Sequence, residues 1–217
     1  MNKIISLEEA ISHIKDGMTI MVGGFLDVGT PDKIIDELAK SNVKNLTLIC
    51  NDTAFPDKGV GKMVVNKQFK KMIVSHIGTN PETGRQLNEK EAEVELVPQG
   101  TLAERIRCGG TGLGGFLTPT GIGTIVEEGK EKITVDGKDY LLEKPLKADV
   151  ALIFGSIVDE KGNVYYNKST RNFNTIMATA ADVVIVEAEK LVKTGEINPN
   201  DVMTPGIFVD YIVKGEE

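Results

Sequence analysis

The apolar residues of this chain are concentrated in short continuous runs, which are separated by polar and glycine-containing segments. Continuous rather than alternating apolar runs are typical of strands that are buried on both faces of a sheet. Helical segments lie between the runs, and this alternation predicts an α/β fold, with a mostly parallel open sheet and helices on both faces. The predicted strands are 19–22, 46–50, 72–75, 94–97, 150–154 and 183–186.

Capping residues mark where the first helices begin. Ser6 and Glu9 form a capping box, which predicts a helix that continues to about residue 15. Thr30 as the N-cap and Pro31 at the first helical position predict a second helix, which continues to residue 40. We also expect helices at 60–70, 101–108 and 172–180, a turn at 80–84, a glycine-rich loop at 109–124, and a last strand or helix at 207–213.

The dipeptide Asp136-Gly137 stands between the apolar segments 133–135 and 140–142. An Asp-Gly pair in this setting is a strong hairpin signal, so we expect a small β-hairpin inserted into the α/β alternation. No linker rich in proline, serine or charge divides the sequence. We therefore expect a single domain over residues 1–217.

Composition and charge narrow the possible functions. The net charge of −7 argues against nucleic-acid binding, because phosphate backbones require a basic surface. No apolar run approaches the roughly 18 residues of a membrane span, and the first residues do not resemble a secretory signal. Cys50 and Cys108 are far apart in sequence, so neither a disulfide framework nor a zinc site is indicated. We expect a cytoplasmic protein without a metal site or a membrane contact.

The segment from Gly23 to Pro31 follows the first predicted strand and precedes a helix. Ligands of open α/β sheets bind beyond the carboxyl ends of the strands. Glycines at such a position let backbone amides converge on an anion or an acyl oxygen, but they also serve in tight turns that bind nothing. The spacing fits neither the dinucleotide-binding G-x-G-x-x-G motif nor a P-loop.

Six longer strings of the sequence are distinctive. The first is Asp16-Gly17-Met18-Thr19, followed by the apolar run, Gly-Gly-Phe, Gly29 and Pro31. The other strings are NDTAF (51–55), SHIGTNPETGR (75–85), VPQGTLAERIRCGG (97–110), GFLTPTGIGT (115–124) and RNFN (171–174). Together they resemble the α subunits of class I coenzyme A (CoA) transferases. The resemblance extends along essentially the whole chain, and it is strongest to the short-chain fatty acid type, which uses acetoacetyl-CoA, butyrate and acetate.

The resemblance implies that CoA moves from an acyl-CoA to a free carboxylate through a glutamyl thioester. The family carries that glutamate in a glycine-flanked motif of a β subunit, and we find no such motif here. We therefore expect a β partner that supplies the nucleophile, in an α2β2 or larger assembly, with CoA as a substrate and no permanently bound cofactor. The implied CoA-contacting segment consists of Gly23, Gly24, Phe25, Leu26, Asp27, Val28, Gly29 and Thr30.

Two carboxamide side chains at predicted strand ends are candidates for the acyl site. Gln99 lies just past the predicted strand at 94–97, where we expect it to donate to an oxyanion or to orient the partner's glutamate. The competing interpretation is a helix-entry residue that satisfies nearby backbone groups. Asn51 ends another strand and is a candidate pocket residue, although asparagine is also a routine turn residue.

Other residues carry side chains that can act as nucleophiles or bases or can bind phosphate. Glu187 follows the run at 183–186 and is conceivable as a nucleophile within this chain, but we favour a helix-start or surface role. Arg105 and Arg107 are candidates for CoA phosphates, and at most one would serve because positions i and i+2 face different sides of a helix. We expect a structural His76, a solvent-facing His13 and an inert Cys108.

Two alternatives stay open at this point. One is a non-catalytic acyl-CoA-binding or regulatory module of the same fold. The other is an enzyme resembling phosphosugar isomerases, which would need paired acid and base carboxylates that the sequence does not display.

Overall fold

The computed structural model describes residues 2–215, and its centre is a mostly parallel sheet. The strands lie in the order β1-β12-β11-β9-β2-β3-β4-β5, and all neighbours along this path are parallel, while β10 pairs antiparallel with β9. The predicted mostly parallel open sheet is thereby confirmed. The strands are β1 (Ile4–Ile5), β2 (Thr19–Val22), β3 (Leu46–Ile49), β4 (Phe69–Val74), β5 (Glu93–Leu96), β9 (Ala148–Asp159), β10 (Val164–Tyr165), β11 (Ala181–Val192) and β12 (Tyr211–Lys214).

The sheet is built outward in both directions from the pair β2 and β9. Strands β2 to β5 follow one another towards one edge, and β9, β11 and β12 lie in succession on the other side of β2. This reversal is a topological switch point, beside which ligands of open α/β sheets bind. The segments that follow β2, β3, β4 and β5 all leave the sheet at the same carboxyl edge.

Helices cover both faces of the sheet, and each face has its own hydrophobic core. Ile20 and Val22 of β2 pack in one core, and the intervening Met21 packs in the other, as the alternation of a two-sided strand requires. The first core also holds α1 (Leu7–Ser12), α2 (Asp32–Lys40) and α3 (Gly61–Val65). The second holds α5 (Gln99–Thr111) and α6 (Asn174–Met177), and α4 (Pro81–Asn88) contacts α3.

The predicted hairpin is present as part of a small antiparallel sheet. It consists of β6 (Phe116–Thr118), β7 (Lys132–Val135) and β8 (Lys138–Glu143), in the order β6-β8-β7. Asp136 and Gly137 have φ angles of +50° and +75°, as the predicted tight turn requires. This sheet is mostly exposed, and Arg105 of α5 ties it to the main sheet by contacting Glu95 at 2.7 Å and Glu143 at 3.8 Å.

Several element boundaries differ from the sequence prediction. The expected turn at 80–84 is the start of α4, because the Asn80 side chain accepts a hydrogen bond from the Glu82 amide and Pro81 occupies the first helical position. The expected helix at 60–70 ends at Val65, since β4 already begins at Phe69. Helix α5 is longer than expected, α1 and α6 are shorter, and β9 and β11 each extend to 12 residues. The tail forms a strand, β12.

Candidate active site at the carboxyl edge of the sheet

The glycine segment after β2 folds back on itself as a tight hairpin. Phe25 and Val28 exchange backbone hydrogen bonds of 3.1 and 3.0 Å across the two residues between them. The first of these, Leu26, has a φ of +58°, an uncommon conformation for a side chain of this size. The Phe25 and Val28 side chains are both exposed, so the hairpin presents two apolar side chains beside the carboxyl edge of the sheet.

Most amides of this segment are already bonded within the chain. The Gly23 amide donates to the Leu152 carbonyl at 2.9 Å, and the Gly24 amide donates to Asn172 Oδ1 at 3.1 Å. The Leu26 amide donates to Asp52 Oδ2 at 2.9 Å. The expectation that the paired glycine amides point at a ligand is therefore wrong, because these donors hold the loop in place. The assignment of the segment to CoA stays a prediction.

The paired glycines are needed because other side chains pack against them. A Cβ atom at Gly23 would lie 1.8 Å from Asn174 Oδ1, and one at Gly24 would lie 2.3 Å from Thr30 Oγ1. Asn174 is fully buried, where its Nδ2 donates to the Gly29 carbonyl at 2.9 Å. Asn172 accepts from Gly24 and donates from Nδ2 to the Val28 carbonyl at 2.9 Å. The RNFN string therefore holds the hairpin from both sides, a role that its sequence alone does not reveal.

The two predicted carboxamide residues meet at the carboxyl edge. Gln99, the first residue of α5, donates from Nε2 to Asn51 Oδ1 at 2.7 Å. The hydroxyl group of Ser75, which follows β4, donates to the Asn51 backbone carbonyl at 2.7 Å and lies 3.2 Å from Asn51 Oδ1. Asn51 is buried and Gln99 is exposed. The structure thus brings three strand ends together at one cluster, while the chemical roles of Gln99 and Asn51 stay predictions.

These side chains line a cavity of about 370 Å³. That volume is within the range of small-molecule sites, roughly 300–1,000 Å³. Four loops contribute to it, so the cavity lies where the strand ends converge. Its lining consists of Phe25, Leu26, Asn51, Asp52, Ser75, His76, Thr79 and Gln99.

Asp52 lies at this cavity and was not among the residues singled out from the sequence. It is 2% exposed, and its carboxylate accepts three N–H donors. These come from Leu26 at 2.9 Å, the Asn51 side chain at 2.6 Å and the Ala54 amide at 2.7 Å. The one available signal is a charged residue two positions after a predicted buried strand, 46–50.

Glu187 does not act at the cavity, because it closes the amino end of α2. Its Oε2 accepts the Ile34 amide at 3.0 Å, and burial raises the pKa of this carboxyl group to about 7. The prediction of Thr30 as the N-cap is wrong: Pro31 occupies that position without a side-chain hydrogen bond. Glu187, distant in sequence, accepts from the amides that an N-cap would have satisfied. The nucleophile interpretation of Glu187 therefore has no geometric support.

The remaining candidate residues are engaged elsewhere. Arg105 is paired with Glu95, and Arg107 Nε donates to Glu104 at 2.9 Å, so neither is held ready for a phosphate. His13 is half-buried and stacks on Tyr211 at 4.5 Å, contrary to the expected solvent-facing position. Cys50 and Cys108 are buried free thiols, and burial raises the pKa of Cys50 to about 12.

Within residues 2–215, no three His, Cys, Asp or Glu side chains are grouped so as to hold a metal ion. Across the same residues, no helix has both the length and the apolar character that crossing a membrane would require.

Comparison with known proteins gives concordant matches over nearly the whole chain. Residues 4–215 match the family model described as Coenzyme A transferase. The chain is 55% identical over 215 residues to the acetate CoA-transferase subunit alpha of Escherichia coli, covering 99% of this chain and 98% of that protein. It is 59% identical over 213 residues to the acetoacetyl-CoA:acetate/butyrate CoA transferase alpha subunit of Clostridium acetobutylicum, covering 98% of both.

Solved structures share the fold at low sequence identity. An acyl-CoA transferase from Escherichia coli O157:H7, solved as a thioester complex with CoA, superposes with a TM-score of 0.88 and 23% identity. The match covers 99% of this chain and 47% of that one, so this chain spans about half of its length. Glutaconate CoA-transferase from Acidaminococcus fermentans superposes with a TM-score of 0.85 and 20% identity, covering 98% of this chain and 75% of that one.

Proposed function

This chain belongs to the coenzyme A transferase family, and from that premise we propose that it is the half of the enzyme that binds CoA and stabilises charge while a partner supplies the nucleophile. The chain is the α subunit of a heteromeric CoA-transferase. The proposed reaction moves CoA between a short-chain acyl-CoA, such as acetoacetyl-CoA, butyryl-CoA or acetyl-CoA, and a free short-chain carboxylate. The names of the two similar α subunits support this substrate class.

The observation that carries the proposal is the chemical character of the cavity. Its described lining offers carboxamide, hydroxyl, imidazole (His76) and apolar groups, and its one carboxylate, Asp52, accepts hydrogen bonds from three N–H donors. The lining contains no glutamate, and Glu187 is locked against α2. A site that offers donors without an available carboxylate nucleophile fits one half of a two-chain active site.

In the proposed reaction the β subunit supplies the nucleophile, and this chain stabilises the oxyanion. A glutamate of the β subunit attacks the thioester carbon, the CoA thiolate leaves, and an acyl–glutamyl anhydride forms. The thiolate then attacks the glutamyl carbonyl, which releases the first carboxylate and leaves CoA on the glutamate. Each attack creates an oxyanion, and we assign its stabilisation to the Gln99 amide beside Asn51.

The segment from Gly23 to Thr30 is the proposed CoA-contacting element. Its exposed Phe25 side chain, which lines the cavity, and its exposed Val28 side chain offer apolar contact to the pantetheine arm. This arrangement replaces the amide cradle that the glycines alone suggested, because those amides are bonded internally. CoA enters and leaves as a substrate.

We further propose that residues 1–217 act as one domain in an α2β2 or larger hetero-oligomer in the cytoplasm, with no nucleic acid or membrane as a partner. The family match over residues 4–215 supports the single domain, and the alpha-subunit names of the relatives support a β partner. Two buried thiols without a disulfide are consistent with a reducing compartment.

Reconstitution tests this proposal. The purified chain alone is expected to show no CoA transfer between acetoacetyl-CoA and acetate, and activity is expected to appear on addition of the β subunit. Transfer by the isolated chain would contradict the assignment of the nucleophile to the partner. Absence of activity in the assembled complex would favour a non-catalytic acyl-CoA-binding module.

A further inference from the structure

We propose that Asp52 is a positioning residue that fixes the direction of the Asn51–Gln99 hydrogen bond, so that Gln99 presents an N–H group to the cavity. The inference rests on the proposed function, in which Gln99 donates to the oxyanion. It adds a residue whose carboxylate accepts three N–H donors of this chain and which acts through two carboxamides.

The hydrogen bonds of Asp52 determine the orientation of the Asn51 side chain. The side chain is 2% exposed, and all three of its partners are N–H groups, from Leu26, Asn51 and Ala54. An ionised carboxylate only accepts hydrogen bonds. Asn51 must therefore turn its Nδ2 towards Asp52, at 2.6 Å, because the reverse orientation would bring two acceptor oxygens into contact.

The orientation of Asn51 in turn determines the orientation of the Gln99 side chain. With Nδ2 of Asn51 fixed on Asp52, Oδ1 of Asn51 faces the other way and accepts from Gln99 Nε2 at 2.7 Å. Gln99 is thereby obliged to turn its NH₂ group inwards. One of the two Nε2 hydrogens is used in this bond, and the second has no acceptor within residues 2–215.

The orientation of Gln99 determines which of its groups can bond to an oxyanion. An isolated carboxamide can present either its oxygen or its NH₂ group to a neighbour, and only the NH₂ group stabilises a developing oxyanion. Oxyanion stabilisation depends on donors that are oriented before the reaction. Because the buried Asp52 carboxylate orients Asn51 and Asn51 orients Gln99, the Gln99 side chain has one favoured orientation, in which its NH₂ group faces Asn51 Oδ1.

Asp52 also connects this pair to the glycine segment. The same oxygen, Oδ2, accepts both the Asn51 side chain and the Leu26 amide. Leu26 is the residue with a φ of +58° at the hairpin tip. One carboxylate thus relates the position of the proposed CoA-contacting hairpin to the orientation of the proposed oxyanion donor.

A double-mutant cycle in the assembled αβ enzyme tests the proposal. Asp52→Asn keeps the shape but allows an NH₂ group to face Asn51. We expect kcat to fall about 10- to 100-fold, a part of the 10²–10³ typical for loss of an oxyanion donor, with a smaller change in KM for the carboxylate. Gln99→Ala is expected to lower kcat at least as far, and the double variant is expected to be no slower than Gln99→Ala alone.

Asp159 provides a matched control. It is also 2% exposed, and its carboxylate accepts the amides of Lys161 and Asn163 and the Asn163 side chain, none of which lines the cavity. Asp159→Asn is expected to leave kcat unchanged. Asn51→Leu provides a second test that leaves the Leu26 and Ala54 bonds of Asp52 in place, and it is expected to lower kcat as Asp52→Asn does.

The outcomes separate this proposal from the function on which it rests. Full activity of Gln99→Ala would overturn the role of Gln99 and, with it, the positioning role of Asp52. A slow Gln99→Ala enzyme that Asp52→Asn slows further by its full factor would overturn the positioning role alone. An Asn51→Leu enzyme with normal kcat would do the same.

Discussion

Two tight hairpins in this chain reach positive φ angles by different means. The hairpin between β7 and β8 turns at Asp136-Gly137, a pair whose local preferences favour that geometry. The hairpin after β2 turns at Leu26-Asp27, and Leu26 adopts a φ of +58° without being a favourable turn residue. The first hairpin is specified by its own residues, and the second is not.

Distant residues hold the Leu26-Asp27 hairpin in place. Asp52 accepts the Leu26 amide at 2.9 Å, Asn172 donates to the Val28 carbonyl at 2.9 Å, and Lys58 pairs with Asp27 at 2.6 Å. The comparison indicates that the hairpin at the candidate site depends on tertiary hydrogen bonds, whereas the exposed hairpin does not. Perturbing those bonds should therefore affect both stability and activity.

The largest effect is expected from Gly23→Ala. The added Cβ would meet Asn174 Oδ1 at 1.8 Å, so the fully buried asparagine that holds Gly29 must move. We expect the free energy of unfolding to fall by about 3 kcal/mol in urea titrations of the chain. We also expect the assembled enzyme to lose most of its transferase activity.

Gly137→Ala is the matched change in the other hairpin. Its φ is +75°, and a Cβ there would meet nothing within 4 Å, so only the backbone penalty applies. We expect a loss of about 1 kcal/mol and normal activity. Equal costs for the two substitutions, or an active Gly23→Ala enzyme, would contradict the distinction between the hairpins.

An effect that depends on pH, and that is at most as large as that of Gly23→Ala, is expected from Glu187→Gln at the amino end of α2, the helix that follows the Leu26-Asp27 hairpin. Burial raises the pKa of Glu187 from 4.5 to about 7, so the folded chain binds this proton more tightly than the unfolded chain does. The free energy of unfolding therefore falls as the pH rises from about 4.5 to about 7, and the total loss is at most about 3 kcal/mol.

Glutamine retains an acceptor for the α2 amides but does not ionise, so the variant should lack this decline. The check is the difference in unfolding free energy between variant and wild type, measured from pH 4.5 to 8. It should grow with pH in favour of Glu187→Gln. A difference that stays constant would show that the Glu187 carboxyl group has an ordinary pKa in the folded chain.

The predictability of the fold follows the same division between local and distant determinants. The continuous apolar runs predict the buried parallel strands, whereas β5 is a partly exposed edge strand whose segment includes Glu95. Asp136-Gly137 is sufficient to predict the inserted hairpin. Helix α4 was missed because Asn80-Pro81 fits a turn and a helix start equally well by composition. The N-cap of α2 was misassigned because its amides bond to Glu187, more than 150 residues away.

The candidate site was predictable only in part. Position after a strand was sufficient to select Gln99 and Asn51 separately, because strand ends converge at one edge of a parallel sheet. Their mutual bond, and the role of Asp52 beside them, depend on the register of three strands and on Leu26. No local pattern encodes such contacts, since each partner is an ordinary polar residue in its own sequence context.

The most direct test of the central claim is the location of the covalent intermediate. The assembled enzyme would be incubated with acetoacetyl-CoA, quenched in acid and measured as intact subunits by mass spectrometry. We predict that the β subunit gains the mass of CoA less one water, and that this chain stays unmodified. A CoA adduct on this chain would contradict the division of labour between the two subunits.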